Sequence, residues 1–133
     1  MSDMLTIRST AKGIRLSPRK MGLVASLIRG RSVADALVIL QHTPKRAALP
    51  VQKIITSAKA NAVNNHKMKE DGLMITQLQV TAGPRLKRFK PAAMGRALPF
   101  QKKATHVLIE VTGELKPKKV AAEAKAAPKK EAK

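Results

Sequence analysis

The sequence GPRLKRFKPAAMGRALPFQKKAT, residues 83–105, decides how the rest of the chain can fold. It carries seven cationic side chains and no acid, and its few apolar side chains are scattered among the charges. The cations are Arg85, Lys87, Arg88, Lys90, Arg96, Lys102 and Lys103. The flanking segments, LMITQLQVTA and THVLIEVT, have the composition of strands. A long connection without core material of its own is typically functional or disordered, so we expect a polyanionic partner to order it.

Composition points to nucleic acid as that partner. The chain has 133 residues, which suits one domain, and its 27 Lys and Arg against 8 acids give a formal charge of +19. Phosphates supply dense counter-charge, and the release of counterions adds affinity. No apolar run approaches the roughly 20 residues of a membrane span, and Arg8, Lys12 and Arg15 interrupt every candidate secretory signal. We therefore expect no membrane association and a cytoplasmic location.

The side-chain inventory limits how RNA could be recognised. Phe89 and Phe100 are the only aromatic residues, and the chain has no Cys. Modules that stack unpaired bases on aromatic platforms need more aromatic surface than this, so we expect Lys and Arg to read backbone and shape. The absence of Cys excludes disulfides and thiolate zinc sites.

Three helices and an N-terminal strand precede the basic stretch. Residues 4–15 are short, basic and rich in strand formers, which predicts an edge strand that pairs with the strand following the basic stretch. Ser17 and Pro18 open the first helix, which Gly30 ends. Ser32 opens the second, with Asp35 in a capping position. The apolar face of the first helix is formed by Met21, Val24, Ala25 and Ile28, and that of the second by Val33, Ala36, Leu37 and Leu40.

The third helix has an ambiguous start. Thr43 and Pro44 repeat the signal of a capping residue followed by proline, and the apolar pattern runs to about Asn64. Pro50 would then lie about two turns inside the helix, where proline costs roughly 3 kcal/mol. The helix therefore either begins later than Thr43 or kinks at Pro50.

The remaining segments complete the predicted fold class. Leu78 and Val80 share one face of an outgoing strand at residues 73–82, and Val107, Ile109 and Val111 alternate inward on the return strand at 105–112. The class is α+β, with three helices packed on a small antiparallel sheet. Residues 1–113 form the single domain. Residues 114–133 are almost entirely Ala, Lys, Pro and Glu, which predicts a disordered basic tail.

Catalytic chemistry is not indicated. His42, His66 and His106 are far apart and lack metal-ligand spacing, and the adjacent acids Glu70 and Asp71 fit a solvated loop. No glycine-rich phosphate-binding motif is present. We expect no enzyme activity, no cofactor and no metal. His106 lies opposite the inward face of its strand and is expected to reach phosphate.

Four segments, in order, resemble one known family. They are SPRKMGLVASLIRG, ITSAKANAVNN, VTAGPRLKRFKPAAMGRA and KKATHVLIEV, and the resemblance runs from about residue 4 to 113. The chain resembles the large-subunit ribosomal protein family numbered twenty-two in bacteria. The most specific part is the pattern GP-x-x-KR-x-x-P-x-x-x-GRA at residues 83–97. Two departures are Pro50 in the third helix and the neutral Ala92-Ala93-Met94, where the family is commonly more basic.

The resemblance implies a structural role in the ribosome. It implies a long extended β-hairpin, which we call the arm, at about residues 81–105. The globular part would lie near the peptide exit of the large subunit, and the arm would line the tunnel of the nascent peptide. Ribosomal RNA, neighbouring large-subunit proteins including ribosomal protein four, and the nascent peptide would be its partners.

The residues and the resemblance together give two sets of candidate site residues. The RNA-binding set is Arg8, Lys12, Arg15, Arg19, Lys20, Arg85, Lys87, Arg88, Lys90, Arg96, Lys102, Lys103 and His106. The tunnel tip is Phe89, Lys90, Pro91, Ala92, Ala93, Met94 and Gly95.

Two other functions fit the same residues. A free architectural protein could insert a basic β-arm into a duplex groove with Pro91 as an apolar wedge. A membrane-active protein would need a long basic amphipathic helix, and the helices here are short and rich in alanine. Sedimentation with the large subunit separates the ribosomal protein from the first alternative, and liposome binding tests the second.

Overall fold

The computed structural model describes residues 4–115, in which three helices cover one face of a three-stranded antiparallel sheet. The elements are β1 (Met4–Ile14), α1 (Pro18–Ile28), α2 (Val33–His42), α3 (Ala48–Asn64), β2 (Met74–Pro91), a 3-10 turn (Ala93–Gly95) and β3 (Ala97–Glu114). The strand order is β1-β3-β2. The α+β class is confirmed. Of the predicted tail, Glu114 ends β3 and Leu115 bridges to Met68, while residues 116–133 lie outside the described residues.

The central strand β3 organises the core. Val107, Ile109 and Val111 are almost fully buried on its inner face, as the alternating pattern predicts. β1 pairs with one side of β3 and β2 with the other, so that Ile7 lies opposite Val111 and Leu78 lies opposite Ile109. The prediction that the N-terminal strand pairs with the return strand is confirmed.

The first two helices begin where the sequence predicts. Ser17 precedes α1, and the predicted apolar face of this helix is buried. Ser32 caps α2, because its hydroxyl oxygen accepts a hydrogen bond from the backbone N–H of Asp35 at 3.1 Å. The buried helix faces pack against the inner face of the sheet to form one core.

Of the two alternatives for the third helix, the later start is confirmed, and Thr43 does not open it. Thr43 instead ends α2, where its hydroxyl donates a hydrogen bond to the Ile39 carbonyl oxygen at 2.6 Å. α3 begins at Ala48, so Pro50 is its third residue. The first four N–H groups of a helix have no partner within the helix, so proline there removes no hydrogen bond. The late start removes the need for a kink.

The basic stretch is paired as two strands. β2 and β3 remain in register from Arg85 opposite Lys103 to Pro91 opposite Ala97. The 3-10 turn closes the end, with Met94 at a φ of 58°. This differs from a loop that needs a partner to be ordered, because the ladder satisfies backbone groups without a core. The seven residues from Arg85 to Pro91 extend the paired strands by about 23 Å.

Candidate nucleic-acid interface

Two adjoining grooves lie at the base of the arm, with volumes of about 450 and 810 Å³. They share Ser17, Lys20, Lys103 and Ala104 in their walls. We call them together the basic groove. Its cations are Arg15, Arg19, Lys20, Arg85, Arg88, Lys102 and Lys103, and none of the described residues that line it is acidic. This surface attracts anions from several directions.

The path of the chain after β1 builds one wall of the groove. β1 ends at Ile14, and residues 15–17 lead directly into the first turn of α1. That turn contains no acid, and the side chain of Ser17 makes no capping hydrogen bond. The free backbone N–H groups of a helix start carry partial positive charge. The first turn of α1 therefore adds to the positive potential of Arg19 and Lys20.

The paired strands distribute cations over both faces of the arm. Directly paired residues in an antiparallel ladder share a face, and successive residues alternate. The register places Arg85, Lys87 and Lys103 on one face and Arg88, Lys90 and Lys102 on the other, with Arg96 next to the turn. The arm can therefore contact phosphates on two sides.

Apolar side chains on the arm are exposed between these cations. Phe89 is 70% exposed and Met94 is 94% exposed. Leu86 and Leu98 are also more than half exposed. The Lys90 ammonium lies 5.4 Å from the centre of the Phe100 ring, which is a cation–π contact. These residues contribute little to the core and are available to a partner.

Three predicted RNA-binding residues lie on the sheet, outside both the basic groove and the arm. Arg8 forms an ion pair with Glu110 at 2.7 Å, which offsets part of its charge. Lys12 is exposed in the irregular part of β1 before Ile14. The Nδ1 atom of His106 accepts a hydrogen bond from the Gly13 N–H at 2.9 Å. That contact assigns the proton of the neutral ring to Nε2, which can donate to phosphate.

The structure thus divides the predicted RNA-binding set into three groups. The basic groove contains seven of the predicted residues. Lys87, Lys90 and Arg96 lie further along the arm, and Arg8, Lys12 and His106 lie on the sheet.

Sequence reasoning omitted a second group of exposed cations. Lys45 and Arg46 follow α2, and Lys53 lies on α3. They make no ion pair among those found in residues 4–115, in contrast to Lys59 with Glu70 and Lys69 with Glu114. The adjacent Lys45-Arg46 pair is the signal that could have identified the group. These cations provide a matched comparison surface for the basic groove.

The fold and the groove define a class of protein. Within residues 4–115 no group of three metal-ligating side chains is found, and no helix is long and apolar enough to cross a membrane. What the described part does offer is a continuous cationic surface at the base of a basic two-stranded arm. Such a surface is typical of the class of proteins that bind nucleic acid through its phosphates.

Comparisons with known proteins identify the family. Residues 9–112 match the family model described as ribosomal protein L22p/L17e. The chain is 47% identical over 108 residues to the large ribosomal subunit protein uL22 of Desulfitobacterium hafniense (strain Y51), covering 81% of this chain and 95% of that protein. It is 46% identical over 104 residues to the protein of the same name from Clostridioides difficile (strain 630), covering 78% and 94%.

The chain belongs to the ribosomal protein L22p/L17e family. Membership makes it a structural, RNA-binding constituent of the large ribosomal subunit and not an enzyme. The predicted location in the ribosome is confirmed by the same finding.

Proposed function

We propose that the chain binds ribosomal RNA chiefly through the basic groove and the two faces of the arm. The observation that carries this proposal is the set of seven cations in one groove whose described lining contains no acid. All seven side chains are Lys or Arg, and each can donate hydrogen bonds to a phosphate. Secondary contacts from the sheet would be made by Arg8, Lys12 and His106. The contact of Arg8 would be weakened because this side chain is already paired with Glu110.

The arm would reach into the large subunit and line the tunnel of the nascent peptide. Ribosomal protein four and the nascent peptide would then be neighbours of the tip, residues 89–95. Three properties support this position: the length of the paired strands, the cations on both faces and the uncharged end of the tip, residues 91–95, where Met94 is 94% exposed. RNA on both sides would neutralise the arm, while the uncharged residues 91–95 would border the open tunnel.

The globular part would remain at the outer surface of the subunit, near the peptide exit. β3 spans about 36 Å from Lys103 to Glu114, so its C-terminal end lies far from the basic groove. Residues 1–113 would form the RNA-binding domain. Glu114, where the predicted tail begins, lies at the end of the domain opposite the arm.

A salt titration tests the RNA-binding proposal. In the groove variant, Arg15, Lys20, Arg85 and Lys103 are all replaced by Gln. In the matched control, the same change is made at Lys45, Arg46, Lys53 and Lys67, the last of which is another exposed cation outside the groove. Binding to a large-subunit RNA fragment is measured between low and moderate salt. Each lost single-strand phosphate contact lowers the log–log slope by about 0.7, so the groove variant should lose about 3 in slope and the control much less. Equal losses in both variants would refute the groove as the main RNA surface.

A further inference from the structure

The globular part gives way to the arm at Thr105 of β3. On either side of this residue, the register of an outer strand shifts. The register of β1 against β3 shifts between Ala11 and Ile14, and that of β2 against β3 shifts between Ala82 and Arg85. Both shifts flank the same β3 residue, because Ile14 and Ala82 both pair with Thr105. Extra residues in an outer strand bend it and increase its twist. Beyond this level only β2 and β3 continue.

Two consecutive β3 side chains hold the departing end of β1. Thr105 is fully buried, and its hydroxyl donates a hydrogen bond to the Leu16 carbonyl oxygen at 2.5 Å. His106 accepts a hydrogen bond at Nδ1 from the Gly13 N–H at 2.9 Å. Successive side chains of a strand point to opposite faces. The segment 13–16 is therefore tied to β3 from both faces of the sheet.

The strand on the other side approaches His106 closely. A Cβ at Gly83 would lie 3.2 Å from the His106 Cε1 atom and 3.1 Å from the backbone carbonyl carbon of Ala104. Only glycine allows the backbone of β2 to come this near without displacing its neighbours. The imidazole ring is thus confined between Gly13 of β1 and Gly83 of β2.

We propose that Thr105 and His106 are positioning residues of the basic groove. By fixing the segment 13–16 against the base of the arm, they hold Arg15 and the start of α1 in the same groove as Arg85 and Lys103. This inference rests on the proposed RNA-binding function of the groove. Neither side chain needs to touch RNA for this role, since each acts through a backbone group of the segment.

The physical reason is preorganisation. Ile14 pairs with Thr105 in either case, but a segment that has lost one of the two side-chain hydrogen bonds would sample more conformations before binding, and RNA would have to order it. Loss of the Thr105 hydroxyl should therefore weaken RNA binding without the removal of any cation. The effect should pass through Arg15, whose backbone lies between the two anchored residues, Gly13 and Leu16.

A double-mutant cycle tests the proposal. Arg15→Gln is introduced into the native chain and into Thr105→Val, which has the shape of threonine without its hydroxyl. RNA affinity is measured at one salt concentration and at a temperature where unfolding curves show every variant to be folded. We expect Thr105→Val to weaken binding at least about threefold, and the effect of Arg15→Gln to be at least about threefold smaller in that background. Thr105→Ser keeps the hydroxyl donor, so it should retain the native RNA affinity and the full effect of Arg15→Gln.

Amide hydrogen exchange gives an independent readout on His106. His106→Asn retains an acceptor near the position of Nδ1, whereas His106→Leu has none. The Gly13 amide should exchange at least about tenfold faster in His106→Leu than in the native chain, with intermediate protection in His106→Asn. Equal exchange rates in the native chain and His106→Leu would show that His106 does not hold the Gly13 amide, and would refute its positioning role.

The cycle separates this proposal from the proposed function. One outcome is that Arg15→Gln weakens RNA binding by the same factor in the native chain and in Thr105→Val. In that case the groove binds RNA but Thr105 does not position it, and the positioning role is refuted. If Arg15→Gln has no effect in the native chain, Arg15 is not an RNA contact, and both the groove assignment at this residue and the positioning role fail.

Discussion

Shortening the arm tests the division between a globular anchor and an extended RNA-contacting element. Leu86 and Lys102 already pair across the two strands. Residues 87–101 can therefore be replaced by Asn-Gly, which forms the tight two-residue turn that suits strand twist. The replacement removes the tip and keeps Arg85, Lys102 and Lys103 in the basic groove.

The structure sets the size of the expected effects. No residue among 87–101 is buried, so the core loses nothing and the free energy of unfolding should change by no more than about 0.5 kcal/mol. Four cations are removed, namely Lys87, Arg88, Lys90 and Arg96. At about 0.7 per single-strand phosphate contact, the salt-dependence slope of RNA binding should fall by up to about 3.

Two assays measure these effects. Purified protein is used for denaturant unfolding and for RNA binding across salt concentrations, with the control variant of Lys45, Arg46, Lys53 and Lys67 alongside. The shortened chain is then expressed as the only copy in cells. Isolated large subunits should contain it at normal occupancy, because six of the seven cations of the basic groove remain. If the tip lines the tunnel as proposed, peptide-dependent stalling should change.

Several results would refute this reasoning. A loss of stability well above 0.5 kcal/mol would show that the arm contributes to the core. Subunits without the shortened chain would show that the arm, and not the groove, anchors the protein. Normal occupancy with unaltered stalling would show that the tip does not border the tunnel.

Other substitutions test individual steps of the fold. Ile109→Ala removes a fully buried side chain from the central strand and should cost about 2–5 kcal/mol in the free energy of unfolding; a cost below 1 kcal/mol would show that β3 is not central to the core. Ser32→Ala removes the hydroxyl that accepts from the Asp35 N–H and should cost about 0.5–2 kcal/mol by denaturant unfolding, whereas Ser32→Asn, which can also cap, should be close to neutral. Pro50→Ala should change the unfolding free energy by less than about 0.5 kcal/mol because Pro50 lies in the first turn of α3; a gain near 3 kcal/mol would place it in a helix interior.

The strong periodic patterns predicted the core well. The buried face of α1 and the alternation of Val107, Ile109 and Val111 follow directly from the spacing of apolar residues, since burial repeats with the helix or strand period. The pairing of β1 with β3 was predicted because a basic, strand-forming segment at the chain start fits an edge. Capping at Ser32 was predicted because its chemistry is local.

Features that depend on tertiary contacts were harder to predict. Thr43 and Pro44 carry the local signal of a helix start, yet Thr43 bonds backward to Ile39 and ends α2. Local chemistry does not distinguish the two uses of a threonine hydroxyl. The pairing of Thr105 with Leu16 crosses 89 residues of sequence and has no local signal. Charge alone likewise could not show that Arg15 and Lys20 share a groove with Lys103.

The most direct test of the account is a density map of the large ribosomal subunit that contains this chain. We expect RNA phosphates within hydrogen-bond distance of Arg15, Lys20, Arg85 and Lys103 in the basic groove, with Met94 at the wall of the peptide tunnel. A groove that faces solvent or another protein, with RNA contacts confined to other surfaces such as Lys45 and Arg46, would contradict the account.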